Sequence, residues 1–344
     1  MKALAGLVGR WGVPPQRPTM KDVADHVGVS RQLVSLVLRD LPGASTSTRR
    51  RVRDAAQELG YYPDASARVL RGSRSRQLGA MFTMREPFEV DLVEELMMQA
   101  AQRGYALVLG PLTEARRQSR VIPELLGQRI EGLLVLAGDD GGSHIEGLPD
   151  RIPVVQLGGP RSSGPLDDVR VDDEIGIRLL MEHLAAFGHR DFVYVTGGDG
   201  PNAASRRDSC LQQAERLGVA VEVLEAAFTE TAGARAADEI LARPALPTAI
   251  LGANDRCAAG LLATLVRAGV RVPEDVSVVG FDDSSVARLP FTRLTTVRHD
   301  PARLAAQALD ALLARIEDPD RPIVAHRDAP ELVVRRSSGP ARAD

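Results

Sequence analysis

The stretch VSRQLVSLVLR, Val29–Arg39, decides how the first part of this chain is read. It opens with two long polar side chains, Arg31 and Gln32, and continues with Val34, Val37 and Leu38. Those three follow the 3.6-residue period of a helix with one inward face, and Arg31, Gln32 and Ser35 fall outside it. Ser30 stands where a hydroxyl accepts a backbone N–H of the first helical turn. A core helix has no need of a forked cation and an amide at its very start. A helix that presses its first turn against base edges does. Arginine can donate twice to guanine O6 and N7, and glutamine can pair with adenine N6 and N7.

The flanking residues extend this reading. Thr19 is placed to cap a first helix over 20–26, with Val23 and Ala24 inward, and Gly28 relieves the tight connection to the second. A third helix starts after Ser45, runs through RRRVRDAAQEL and stops at Gly60. Two short helices joined by a glycine-containing turn form a helix-turn-helix, whose second helix enters the major groove. The competing reading is a small helical bundle with a solvated polar edge. After GYYP, residues Ala65, Ala67, Val69 and Leu70 pattern a helix too short to be stable alone, surrounded by Arg68, Arg71, Arg74 and Arg76. By its residues this segment reads equally as a charged linker.

Bulk properties set the frame. The chain has 344 residues, room for two or three domains, and its 44% apolar and 26% charged content is ordinary for a soluble protein. No apolar run reaches the eighteen or so residues that span a bilayer. The apolar run in MKALAGLVGR is cut at Arg10 without a small-residue cleavage site, so residues 1–18 are expected to be a disordered extension. Cys210 and Cys257 match no metal spacing and suit a reducing cytoplasm. The net charge of −3 is unevenly spread: residues 17–76 carry +6 and residues 77–344 carry −11. A basic head on an acidic body fits nucleic-acid binding. Lys2 and Lys21 are the only lysines, so a general arginine bias explains the same charge.

From residue 78 onward short apolar runs (LGAMFT, YALVLG, GLLVL, VVQL) alternate with helical patterns such as VDLVEELMMQAAQRG. After residue 172 the alternation restarts, from IGIRLLMEHLAAFG to SVVGFDD. Alternation of this kind predicts an α/β body of parallel sheets covered on both faces, in two lobes, with a cleft at the carboxyl ends of the strands. Neither a nucleophile–base pair nor a metal cluster is legible. GGDG, Gly197–Gly200, lacks the spacing of a phosphate loop. The expectation is a protein that is not an enzyme and carries no cofactor or metal.

DVADHVGVSRQLVSLVLRD (22–40), followed by TRRRVRDAAQELGYYPDASARVLRG (48–72), resembles the head of the LacI/GalR family of transcription repressors. EHLAAFGHR (Glu182–Arg190), AND (Ala253–Asp255), VPEDVSVVGFDD (Val272–Asp283) and LTTV (Leu294–Val297) look like the ligand-binding core of that family, itself similar to periplasmic sugar-binding proteins. The resemblance implies an all-α DNA-binding domain over 19–63 and a hinge helix and linker over 64–76. It implies a first lobe of 77–172 with 298–324, and a second of 173–297 with 325–340, the chain crossing near Asp172, Val297 and Val324. It places Thr19, Ser30, Arg31, Gln32, Ser35, Ser45, Thr48 and Tyr61 on a double-stranded operator, with Ala67 and Leu70 at the hinge and Leu70 as a minor-groove wedge.

It further places Thr83, Arg207, Phe228, Asn254 and Asp282 around a small polar effector such as a sugar. Aspartate, asparagine and arginine are suitable partners for hydroxyls. Other readings stay open at each position. Asn254 and Asp282 are also placed to cap following helices, Phe228 to fill a core, and Arg206 stands beside Arg207. His183 and His189 read as packing or turn residues. Three residues depart from the family pattern: Leu36 stands where a polar reader is common, Gly158 where many sugar-responsive members have Asp or Arg, and Cys210 where glycine is frequent. The function implied is a cytoplasmic homodimeric repressor, released from a near-palindromic operator by its effector, with helix 90–103 and its Met97 and Met98 at the dimer interface. The alternative is a ligand-binding module of periplasmic-receptor type without DNA regulation.

Overall fold

The computed structural model describes residues 18–38, 41–61, 74–84, 86–113, 115–136, 145, 147–159, 166–200 and 202–342. The chain divides into two compact units, Met1–Ser75 and Arg76–Asp344.

Each described helix of the first unit begins at a hydroxyl. Helix α1 (Met20–Val27) is held by a capping box: the Thr19 hydroxyl accepts from the Asp22 amide at 3.3 Å, and the Asp22 carboxylate accepts from the Thr19 amide at 2.7 Å. Gly28 ends it at φ +72, a conformation that a side chain disfavours. Helix α2 (Arg31–Leu38) starts at Ser30, whose Oγ accepts from the Leu33 amide at 3.1 Å. Helix α3 (Thr46–Glu58) starts at Ser45, whose Oγ accepts from the Thr48 amide at 3.2 Å. Val23, Ala24 and Val27 pack with Val34, Val37, Val52, Ala55 and Ala56 into one small core.

Among the described residues the second unit holds two large parallel sheets and a third sheet of two strands. The first comprises β1 (Gln77–Thr83), β2 (Ala106–Leu112), β3 (Gly132–Val135), β4 (Val154–Leu157) and β5 (Asp167–Val171). Helices α4 (Pro87–Gln102) and α5 (Gln118–Gly127) run between its early strands. Side chains of β1 alternate: Leu78, Ala80 and Phe82 join one core with Leu92, Leu96, Leu309 and Leu312, while Met81 joins another with Val121, Leu125 and Leu133. Both faces are therefore covered, which is why these strands read as continuous apolar runs.

The second lobe follows: helix α6 (Asp173–Ala186), β6 (Asp191–Val195), α7 (Ala203–Leu217), β7 (Ala220–Leu224), α8 (Glu230–Leu241), β8 (Ala249–Gly252), α9 (Asp255–Arg267) and β9 (Ser277–Val279). Its four strands run parallel in the order β7-β6-β8-β9. Val193 and Val195 face α8 and α9, while Phe192 and Tyr194 face α6 and α7. The chain then passes through β10 (Thr296–Arg298) to α10 (Pro301–Glu317), which packs on α4 and the first sheet.

The last passage differs from expectation. Strand β11 (Ala325–Asp328) pairs in parallel with β5, completing a six-stranded sheet ordered β11-β5-β4-β3-β1-β2. Residues 325–328 therefore belong to the first lobe, and the chain leaves it after Asp328 instead of near Val324. Strand β12 (Glu331–Val333) then pairs antiparallel with β10.

Candidate nucleic-acid interface and effector cleft

On the first unit Arg31 and Gln32 are exposed in the opening turn of α2, with Ser35 half-buried on the same helix. Thr19, Ser30 and Ser45 hold helix starts with their hydroxyls, and Thr48 shares a 2.9 Å hydroxyl contact with Ser45. Helix N-termini expose unpaired N–H groups and a positive dipole end, suited to phosphate oxygens. Tyr61 packs against the small core. Two of the basic residues turn inward: Arg51 Nη2 donates to the Val27 carbonyl at 2.7 Å, and Arg49 Nε to the Ala44 carbonyl at 3.3 Å. These arginines brace the helix connections, so not all of the positive charge faces outward. Leu36 is half-buried and lies over Gly43, its Cδ1 within 3.2 Å of where a Cβ would sit. The departure at Leu36 is thus occupied by packing. Ala67 and Leu70 lie outside the described residues.

In the second unit a cavity of about 530 Å³ opens at the carboxyl ends of the strands, and Thr83, Phe228, Asn254 and Asp282 line it. Arg207 does not. Its side chain is about half exposed, paired with Asp208 at 3.1 Å, and it lines an adjoining space. The cleft arginine is Arg206, one residue earlier. Arg206 Nε donates to Asp173 Oδ1 at 3.0 Å, Nη1 to the Ala253 carbonyl at 2.6 Å and Nη2 to Asp282 Oδ1 at 3.2 Å. Two carboxylates raise its pKa further, against the lowering effect of burial.

A local signal existed for this register. Ala203, Arg206, Cys210, Gln213 and Ala214 are buried on one helical stripe of α7, which puts Arg206 inside and Arg207 outside. Cys210 is wholly enclosed on that stripe, and burial pushes its thiol up to about 12.

Asn254 does what its alternative reading expected. Its Oδ1 caps α9 by accepting from the Cys257 amide at 2.9 Å. Among the described residues Asp282 caps no helix. It sits at φ +117, and its Oδ1 also accepts from His299 Nε2 at 3.2 Å. A side chain held in that backbone region stores strain, a feature that clusters at functional sites. Phe228 is both core and cleft: its ring lies where Cβ atoms on Gly197 and Gly200 would be, 2.2 and 2.4 Å away. The GGDG loop is therefore the seat of an aromatic ring. Gly158, at φ +71, lines the cleft without a side chain. His299 and Glu86 carry no signal in the sequence, and Arg206 stands there only as the alternative to Arg207; all three are on the cleft wall. His183 and His189 bond the C-terminal segment, at Ser338 Oγ (2.9 Å) and the Gly339 carbonyl (3.0 Å), and burial lowers the pKa of both. Among the described residues no group of side chains could hold a metal ion, and no helix is long and apolar enough to cross a membrane.

Two family models match the chain: "Bacterial regulatory proteins, lacI family" over residues 19–64 and "Periplasmic binding protein-like domain" over 181–338. The HTH-type transcriptional repressor PurR of Edwardsiella ictaluri is 31% identical over 328 residues, covering 93% of this chain and 96% of its own. This chain belongs to the lacI family of bacterial regulatory proteins. A LacI transcriptional regulator from a Rhodococcus species is 36% identical with a TM-score of 0.74, covering 78% of this regulator and 100% of its own chain. The lac repressor dimer bound to operator and an anti-inducer is 27% identical with a TM-score of 0.78, over 94% of this regulator and 100% of its own chain. The regulator is thus a DNA-binding transcriptional repressor with a small-molecule effector site.

Proposed function

We propose that this regulator is a cytoplasmic homodimer that holds a near-palindromic operator through Thr19, Ser30, Arg31, Gln32, Ser35, Ser45, Thr48 and Tyr61, with Ala67 and Leu70 at the hinge. A small polar effector releases it by filling the cleft among Thr83, Arg206, Phe228, Asn254 and Asp282. The observation that carries this reading is the buried Arg206–Asp282 pair at the mouths of parallel strands, beside an aromatic ring: charged donors and acceptors with an apolar face suit a polyol. Met97 and Met98 on α4 are 47% and 50% exposed, which supports an interface over a core role. The lac repressor structure, a dimer on its operator, supports the assembly. A homodimer presents two heads to two half-sites, and the effector acts by its differential affinity for the DNA-bound and released states.

The relatives are repressors, not enzymes, and no catalytic role is proposed. The receptor reading without DNA regulation is disfavoured by the family match over residues 19–64. The test is a gel shift of the full chain with the intergenic DNA upstream of its gene, repeated with substrates of the adjacent genes. A shift that one substrate reverses supports the proposal. Its failure on that DNA at low salt would count against it.

A further inference from the structure

Glu86 and Arg256 join the two lobes across the cleft. Glu86 precedes Pro87 at the start of α4, and Arg256 lies in the first turn of α9. Glu86 Oε1 accepts from Arg256 Nη1 at 2.9 Å, between residues 170 positions apart. The same guanidinium is already engaged by Glu230, in the first turn of α8, through Nε at 2.9 Å and Nη2 at 2.6 Å. Among the described residues one cation therefore serves these two carboxylates. Asp282 adds a third negative charge from beyond the end of β9, and Arg206, which matches it, is shared with Asp173. Glu89, one turn further along α4, is another acid, and its Oε2 accepts from the Thr83 amide at 2.5 Å.

The two carboxylates on Arg256 are not equivalent. Glu230 has the two-point geometry and a side chain 50% exposed, whereas Glu86 has one bond and is 25% exposed. Arg170 and His299 also line the cleft but are engaged by Asp168 and Asp282, so among the described residues the surplus negative charge falls on the more buried partner. We propose that drawing the lobes together across this cleft takes up a proton at Glu86, so that closure is coupled to pH.

The charges support the direction. The bond to Arg256 holds Glu230 below the usual carboxylate range. Burial pushes the Glu86 carboxyl up to about 7, with Asp282 and Glu230 adding to the rise and Arg256 opposing it. When the lobes part, Glu86 returns to water and to its ordinary value. The closed state then binds the proton more tightly. Its advantage is fully present below the ordinary carboxylate pKa and is lost as pH rises through about 7. Between pH 8 and pH 6 the closed-to-open ratio should rise by roughly tenfold. The consequence for effector binding rests on reading the cleft as the effector site, whereas closure itself can be measured without any effector.

The experiment uses the full chain with Ser119→Cys on α5 and Glu239→Cys on α8, one exposed position on each lobe, spin-labelled for distance measurement. The native Cys210 and Cys257 are fully buried and stay unlabelled. The expected result is a shift toward the short-distance population from pH 8 to pH 6, and a Glu86→Gln variant that stays short at both. Glu86 makes no side-chain cap bond, so the glutamine removes no helix cap. A pH-independent distribution in the parent, or one that titrates equally in Glu86→Gln, would overturn the proposal. Carbon NMR of the Glu86 carboxyl in the unsubstituted chain is the second measurement, and titration at the ordinary glutamate value would overturn it as well.

Discussion

The guanidinium of Arg206 lies 3.8 Å from the centre of the Phe281 ring and donates to both Asp173 and Asp282. Phe281 and Asp282 are consecutive, so one arginine grips a strand end by its ring and its carboxylate together. This anchors the acidic cleft residue, and it explains why a cation can be 94% removed from water.

Arg206→Ala should therefore lower stability by about 3–5 kcal/mol, because it strands two carboxylates that are themselves largely enclosed. Arg207→Ala should stay within about 0.5 kcal/mol, since its pair is on the surface. Urea denaturation of both variants separates the two assignments. Equal effects would return the cleft role to an open question between neighbours.

Asn254 allows its two roles to be pulled apart. Asn254→Ala removes the cap of α9 and should cost about 1 kcal/mol. Asn254→Ser keeps a capping oxygen but lacks the amide nitrogen. It should melt close to the parent while its effector response weakens, measured by operator release. A serine variant with a full response would leave Asn254 as a cap alone.

Helices α8 and α9 cross through glycines. A Cβ on Gly233 would lie 2.0 Å from the Cys257 carbonyl oxygen, and one on Gly260 would lie 2.0 Å from that of Glu230. Both neighbours are backbone and cannot swing away. Gly233→Ala should destabilise the second lobe by about 1–3 kcal/mol, the usual cost of overpacking, despite its better helix propensity. A thermal melt unchanged or raised in this variant would show that the two helices can separate freely.

Arg31→Ala and Gln32→Ala should relax base preference, each costing about 1–3 kcal/mol of discrimination. Selection from a randomised operator library is the readout. Loss should concentrate at one or two base pairs per half-site. A uniform loss over all sequences would mean that these side chains touch only phosphate.

Much of this protein is local and was legible. The hydroxyls of Thr19, Ser30 and Ser45 announce helix starts because a cap bonds an amide only three residues on. The runs LGAMFT and DFVYV announce strands because both sheet faces are covered, so apolar residues need not alternate with polar ones. Even the order of the lobes follows from where the alternation restarts. Phe228 was recognised, but the seat beneath it, Gly197 and Gly200, was not, because the ring and the loop meet only in space.

Only the tertiary structure decided the remainder. Ala325–Asp328 is polar and largely exposed, so nothing in AHRD marks a strand, and it becomes one through its pairing with β5 at the sheet edge. Arg206 and Arg207 differ by one helical step, and although the stripe of α7 is periodic in the sequence, only the packed helix shows which face turns inward. Glu86 and Arg256 are unremarkable surface letters in the sequence. Their meeting depends on two lobes folding face to face, because charge pairing acts through distance in space and not along the chain.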